Sequence, residues 1–227
     1  MIWGFSFVAQ RQGMLHIGPF TFNGIRFALG SLSLLPLIII MNRRRPKVPL
    51  ATKNTEGGLH KESSQTGDCL FAGNTLFCGF MAGLVLFLAA SLQQIGIVYT
   101  SAGKAGFITG LYVVLVPIFA LILGKKTGPA TWIGTVLAAA GLYFLSAIGS
   151  MGNVNPGDIF VAVGAVFWSI HVLLIDAFVR RVDALKLSAS QFAWCALFSL
   201  LVALIREEIQ LDAIHRALYP ILYGGLG

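Results

Sequence analysis

The sequence predicts an all-α polytopic membrane protein, an inverted repeat of five-helix units whose second copy is incomplete. Three observations carry the prediction. Of 227 residues, 56% are hydrophobic and only 11% charged, with a mean hydropathy of +0.81. So little polar surface excludes an ordinary soluble domain. Six runs, at about 18–41, 75–99, 101–124, 130–148, 157–179 and 188–205, reach the roughly 20 apolar residues needed to cross a bilayer. Weak self-similarity at an offset of 165 residues pairs Ile2-Trp3 with Phe167-Trp168 and Phe27-Ala28 with Phe192-Ala193, and sets Leu32 and Leu35 on Leu197 and Leu200.

Along the chain, residues 1–10 are apolar but too short to span, and Arg11 closes them. They lack the basic leader and small-residue cleavage site of a signal peptide. The run from Leu218 stops at Gly227, so both ends read as helices cut short and the chain as a fragment. The first unit occupies 1–149, with its first helix truncated, and the second begins at 157 and runs to 227. The expectation is about six full spans plus a partial helix at each end. Glycine and proline recur inside these runs, which membrane helices tolerate.

Between the second and third helices lies the long polar segment 42–74, read as a loop on the cytoplasmic side with Arg43–Arg45 as a topology anchor. Short connections join the remaining helices, and Glu207, Glu208 and Asp212 read as a solvated outer rim. The net charge of +7 is an orientation signal. With the first helix running outward, Arg43, Arg44, Arg45, Lys47, Lys53, Lys61, Lys125, Lys126, Arg180, Arg181 and Lys186 fall inside, against Arg11, Arg206 and Arg216 outside. That bias places the chain in the cytoplasmic (inner) membrane and argues against nucleic acid as a partner. Cys69, Cys78 and Cys195 show no metal-ligand spacing and imply no disulfide framework.

Five helices in the first copy make the second copy enter the membrane in the opposite sense, the architecture of many secondary transporters. The stretch Trp3-Gly4-Phe5-Ser6-Phe7-Val8, with Arg26-Phe27, Leu92-Gln93-Gln94-Ile95-Gly96, Tyr99 through Ile108, Val114-Leu115-Val116-Pro117, Gly134 and Ala139-Ala140-Gly141-Leu142-Tyr143, resembles the EamA-type transporters of the drug/metabolite transporter superfamily. The resemblance covers one full family domain and the opening of a second near Gly157. It implies a ten-helix fold and transport of small metabolites, with no cofactor. The matched motifs are packing patterns and leave the substrate open.

Polar groups inside membrane helices are costly, and each is a candidate. Arg26 attracts an anionic substrate or locks helices together, the latter favoured because the family commonly places an arginine there. Gln93 and Gln94 point about 100° apart, so one of them faces a cavity; Gln94 is assigned to it. Ala105, Thr109, Tyr112 and Val116 share a face, with Tyr112 near the midplane and Pro117 able to bend the helix beside it. Gly106 and Gly110 form a close helix contact. Trp168 and His171 share a face of the sixth helix, matched by Trp3, Phe7 and Gln10 on the first. Two matched tryptophans suggest an aromatic lining for an organic substrate, cations included, with core packing the alternative. His171 and Asp176 are the candidates for proton coupling. Arg180 at i+4 offers Asp176 an ion pair instead, and Lys104 is expected to snorkel.

The expected function is a secondary transporter, read as an exporter, of small organic metabolites or drugs. Its cavity residues are Trp3, Phe7, Arg26, Gln94, Tyr112, Trp168 and His171. Its partners are a small-molecule substrate, the lipid bilayer, and a second copy or a completing chain. The alternatives are a transport-inactive half that assembles with a partner, and a membrane-embedded enzyme. No Gly-rich phosphate loop, HExxH or nucleophile elbow supports the last.

Overall fold

A computed structural model describes residues 2–44, 73–148 and 155–226. The Trp3 side chain and most of the predicted loop 42–74 lie outside the described residues. In chain order the helices are α1 (Ile2–Gly13), α2 (Pro19–Arg44), α3 (Gly73–Tyr99), α4 (Ala102–Gly110), α5 (Tyr112–Ile122), α6 (Pro129–Ile148), α7 (Pro156–Phe178), α8 (Ala184–Arg206), α9 (Leu211–Arg216) and α10 (Leu218–Leu226). Among the described residues, five segments are long and apolar enough to cross a membrane: Pro19–Arg43, Asn74–Tyr99, Ala102–Ile122, Pro156–Phe178 and Ala184–Arg206. The 20-residue α6 coincides with the fourth apolar run, 130–148. This is an all-α, multi-pass membrane fold.

Helix starts follow local chemistry. Pro19 opens α2, where its missing N–H costs nothing. Asn155 and Asp158 form a capping box around the first turn of α7, with Pro156 at its first position. Asp183 caps α8, accepting from the amides of Leu185 and Lys186. The run 101–124, expected as one helix, is divided at Leu111 into α4 and α5. Pro117 has no N–H to offer Val113 and its ring crowds that carbonyl, and six residues before it the Leu111 N–H turns to the Ile108 carbonyl at 3.2 Å. Tyr112 therefore begins α5, half-buried beside the break.

The interior is richer in polar groups than the surface. Leu204 and Ile205 are 70% and 78% exposed, while Asn23, Gln94, Ser169 and Ser199 are fully buried. A bilayer solvates the outward apolar side chains, so association rests on close packing of small residues and on hydrogen bonds. α3 is the central helix, packed along α7 on one side and α8 on another. Where α3 crosses α7, a methyl group at Gly157 would stand 2.6 Å from the Gly96 carbonyl oxygen. Where α3 meets α8, one at Gly83 would stand 2.8 Å from the Gln191 carbonyl oxygen. Besides these pairs, α2 packs on α8 and α10, and α1 on α10 and α4. The Phe7 ring faces Gly106 at a distance that would admit a methyl group there, an ordinary side-chain contact in place of the close helix approach expected of the Gly106/Gly110 pair.

The helix ends opposite the basic face are tied together. Arg11 donates to the Thr100 carbonyl and, at 3.2 Å, to that of Ile97. Thr100 Oγ1 donates to Asp158 Oδ1 at 2.6 Å, and Lys104 Nζ to Asp158 Oδ2 at 2.7 Å. Lys104 was expected to snorkel; it instead turns to the nearly buried Asp158, a second helical carboxylate beside the expected Asp176. Glu207, expected in a solvated rim, reaches the start of α2. It accepts from the amides of Phe20 and Thr21 at 2.8 Å each and from the Thr21 hydroxyl at 2.7 Å. Four donors unsatisfied at any helix start make this an anion-binding position, and Gly18 has no side chain to fill it.

Candidate functional site

A chain of buried polar side chains crosses the junction of α1, α3 and α7. Trp168 Nε1 donates to Gln93 Oε1 at 2.8 Å. Gln93 Nε2 donates to Gln10 Oε1 at 3.1 Å, and Gln10 Nε2 to Ser6 Oγ at 3.0 Å. Gln10 and Gln93 are each 4% exposed. In hydrocarbon an unpaired amide is costly, so such a chain holds its members in one arrangement. The Trp168 ring also packs on the cluster of Phe27, Leu86, Ala90, Cys195 and Ala196, joining the polar chain to the aromatic core.

His171 stands edge-on to Trp168, with ring centroids 5.8 Å apart, and its Nε2 lies 2.9 Å from Gln191 Oε1 on α8. As that amide is oriented, the Nε2 carries the proton. One element more is thereby joined, so α1, α3, α7 and α8 share the polar centre. Phe7 lies one turn from Gln10 and packs with Ile97, Ala105 and Val161. The structure thus brings Trp168 and His171 together and sets Phe7 near the far end of their network.

Of the adjacent glutamines, Gln93 makes these bonds, whereas Gln94, the one assigned to the cavity, is fully buried on another face of α3 with both amide atoms unpaired. Arg26 is 7% exposed; its guanidinium carbon lies 4.6 Å from the Phe27 ring centre and 5.7 Å from that of Phe22. Gly224 of α10 closes over its stem, and Gly225 over its backbone carbonyl. Asp176 stands apart on the basic face, with Lys125 Nζ at 2.8 Å and Arg180 at 3.3 Å. The expected i+4 pair is present, joined by a lysine from the turn after α5. Gln191 escaped the sequence reading, although a glutamine inside an apolar run was the available signal.

The family of EamA-like transporters matches residues 1–147. The chain is 29% identical over 181 residues to a protein of Archaeoglobus fulgidus named as an uncharacterized transporter, covering 79% of this chain and 47% of that one. It is 22% identical to the uncharacterized transporter YoaV of Bacillus subtilis, over 100% of this chain and 71% of YoaV. It is also 23% identical to the uncharacterized inner membrane transporter YedA of Escherichia coli, over 74% of this chain and 48% of YedA. The chain thus spans about half the length of two of these relatives and more of the third. A solved crystal structure shares the fold, with a TM-score of 0.65 at 17% identity, over 99% of this chain and 72% of the other. The chain belongs to the EamA-like transporter family.

Proposed function

We propose that this chain forms part of a secondary transporter that exports small organic metabolites across the cytoplasmic membrane by alternating access. The observation that carries the reading is the pattern of helix pairing. Exchanging α1 with α7, α2 with α8 and α3 with α10 converts the α3–α7 packing into α1–α10, and α3–α8 into α2–α10. It returns α2–α8 to itself, and all of these packings occur. Two related units paired about α2 and α8 would give this pattern, with α4 and α5 counting as one crossing, and we read them as inverted because the first unit holds five crossings. The pattern supports division into units 1–149 and 157–227. Binding sites in such folds lie at the interface of the repeats near the midplane; Trp168 stands near the middle of α7, and its bonds to Gln93 and Gln10 lead from there toward the outer ends of α3 and α1.

In this reading Trp168 supplies an aromatic surface, and the amides of Gln93 and Gln10 supply exchangeable hydrogen bonds. Phe7 extends the aromatic lining, and Tyr112 lies beside the break in the fourth crossing; Trp3 is assigned to the cavity on its sequence match to Trp168 alone. His171 and Asp176 are the proton-coupling candidates. The basic face, carrying the loop 42–74, is the cytoplasmic one. The tied ends of α1, α3, α4 and α7 then close the outer side.

The test is flux into everted membrane vesicles from cells expressing the chain, over a panel of aromatic amines, amino acids, weak acids and nucleobases. At least one class should accumulate above control vesicles, and Trp168→Ala should abolish it. Equal flux with and without the protein across the panel would remove the proposal.

A further inference from the structure

Four buried polar side chains, three of them unpartnered, lie on faces of three helices that converge on one another. The core cluster places Phe27 of α2 against Leu86 and Ala90 of α3 and Cys195 of α8. Phe20 of α2 also touches α3, its ring centroid 6.3 Å from that of Phe87, and Phe87 in turn lies 5.8 Å from Phe198 of α8. Asn23 lies between Phe20 and Phe27 on the same helical face, at i+3 and i−4 from them, so it too faces α3 and α8. One turn beyond Phe87 and Ala90 stand Ser91 and Gln94, and one turn beyond Cys195 stands Ser199. The side-chain amides of Asn23 and Gln94 and the hydroxyl of Ser91 lack a hydrogen-bond partner, and the Ser199 hydroxyl has only the weakly bonding Cys195 thiol beside it. Asn23, Gln94 and Ser199 are 0% exposed, and Ser91 6%.

Beside this layer is a charge of one sign. The Arg26 guanidinium rests on the Phe27 ring, its Nε is also unpartnered, and among the described residues it makes no ion pair. A buried guanidinium without an anion is among the costliest groups to place in a membrane core, and each orphaned amide adds to that cost. Two amides, two hydroxyls and a guanidinium together present donors suited to a planar oxyanion.

We propose that Asn23, Ser91, Gln94 and Ser199, with Arg26 beside them, form a subsite for the carboxylate of an aromatic organic acid, whose ring lies among Phe20, Phe27 and Phe87. The inference deepens the transport reading and rests on it for its biological meaning, but binding is measurable separately. Recognition of a carboxylate through buried donors rejects the isosteric amide, because that leaves the guanidinium unneutralised.

The experiment is equilibrium dialysis of the full chain in nanodiscs against labelled phenylacetate, phenylacetamide and phenethylamine, with protein-free nanodiscs subtracted. Phenylacetate should bind at least about tenfold more tightly than the other two, and Arg26→Gln should erase that preference. Since the arginine variant can fail to fold, Gln94→Leu is the second arm. It removes an unpartnered amide, so thermal stability should hold or rise while phenylacetate binding weakens about tenfold. A Gln94→Leu protein that melts lower, equal binding of acid and amide, or no binding of phenylacetate would each overturn the subsite. If acid and amide bind alike and vesicle flux persists, only the subsite falls. Selective phenylacetate binding without flux of any compound would instead remove the transport reading and leave the subsite standing.

Discussion

Replacing Glu207 by alanine tests the tie between the end of α8 and the start of α2. The carboxylate accepts three hydrogen bonds of 2.7–2.8 Å, two of them from free amides of the first turn. Loss of a capping side chain costs about 0.5–2 kcal/mol, and loss of a negative charge at a helix start about 0.3–2 kcal/mol more. The bonds share one half-buried group, so they do not add fully, and the expected loss is about 2–3 kcal/mol. Glu207→Gln should retain part of it through its single oxygen. The exposed neighbour Glu208 sets the baseline, and Glu208→Ala should change stability by less than about 0.5 kcal/mol. Equilibrium unfolding in mixed detergent micelles, followed by far-ultraviolet circular dichroism, reads these differences.

The 165-residue offset adds a rescue. It sets Gly18 on Asp183, the residue that caps α8 from within its own chain segment. A side chain at Gly18 would run into the Glu207 carboxylate. Gly18→Asp alone should therefore destabilise, by overlap and by like charge. In the Glu207→Ala background that space is free, and Gly18→Asp should recover about 1 kcal/mol or more. A Glu207→Ala loss below about 0.5 kcal/mol, an equal loss in Glu208→Ala, or additive damage in the double variant would refute the capping argument.

Gly157→Ala should cost about 1–3 kcal/mol in the same assay, because the added methyl meets the Gly96 backbone, which cannot move aside as a flexible side chain could. Lys104→Met should cost about 1–3 kcal/mol, since Asp158 is left nearly buried without its cation. Lys125→Met should leave the unfolding midpoint nearly unchanged, its ion pair with Asp176 being solvated on both sides. Trp168→Phe keeps the ring but leaves Gln93 Oε1 without its donor, so stability should fall by about 1–2 kcal/mol. An unchanged unfolding midpoint in that variant would show that the indole N–H is not holding the polar chain.

Much of the site was legible because polar residues inside apolar runs are few. Trp168, His171, Gln10 and the Gln93-Gln94 pair all stood out, and Trp168 and His171 do meet. Choosing between Gln93 and Gln94 was not legible. Their side chains differ by about 100° in direction, and only the crossing of α3 over α7 decides which one reaches Trp168. That crossing angle comes from backbone contact at Gly96 and Gly157, whose glycines are visible in sequence but whose pairing is not. Lys104 and Glu207 were misread for a related reason. A charged residue near a helix end looks solvated until a partner 54 or 187 positions away is brought beside it.

By itself the sequence determined the membrane class, the places of the spanning helices and the family. Hydropathy summed over about 20 residues is a local quantity, and a bilayer forces each such segment to satisfy its own backbone as a helix. Tertiary structure alone decided the union of four helices through Gln10, Gln93, Trp168, His171 and Gln191, and the capping of α2 by Glu207. Those outcomes depend on the rotation of each helix about its own axis. Lipid leaves that rotation almost unconstrained, and it is set only when small residues of different helices meet at close range.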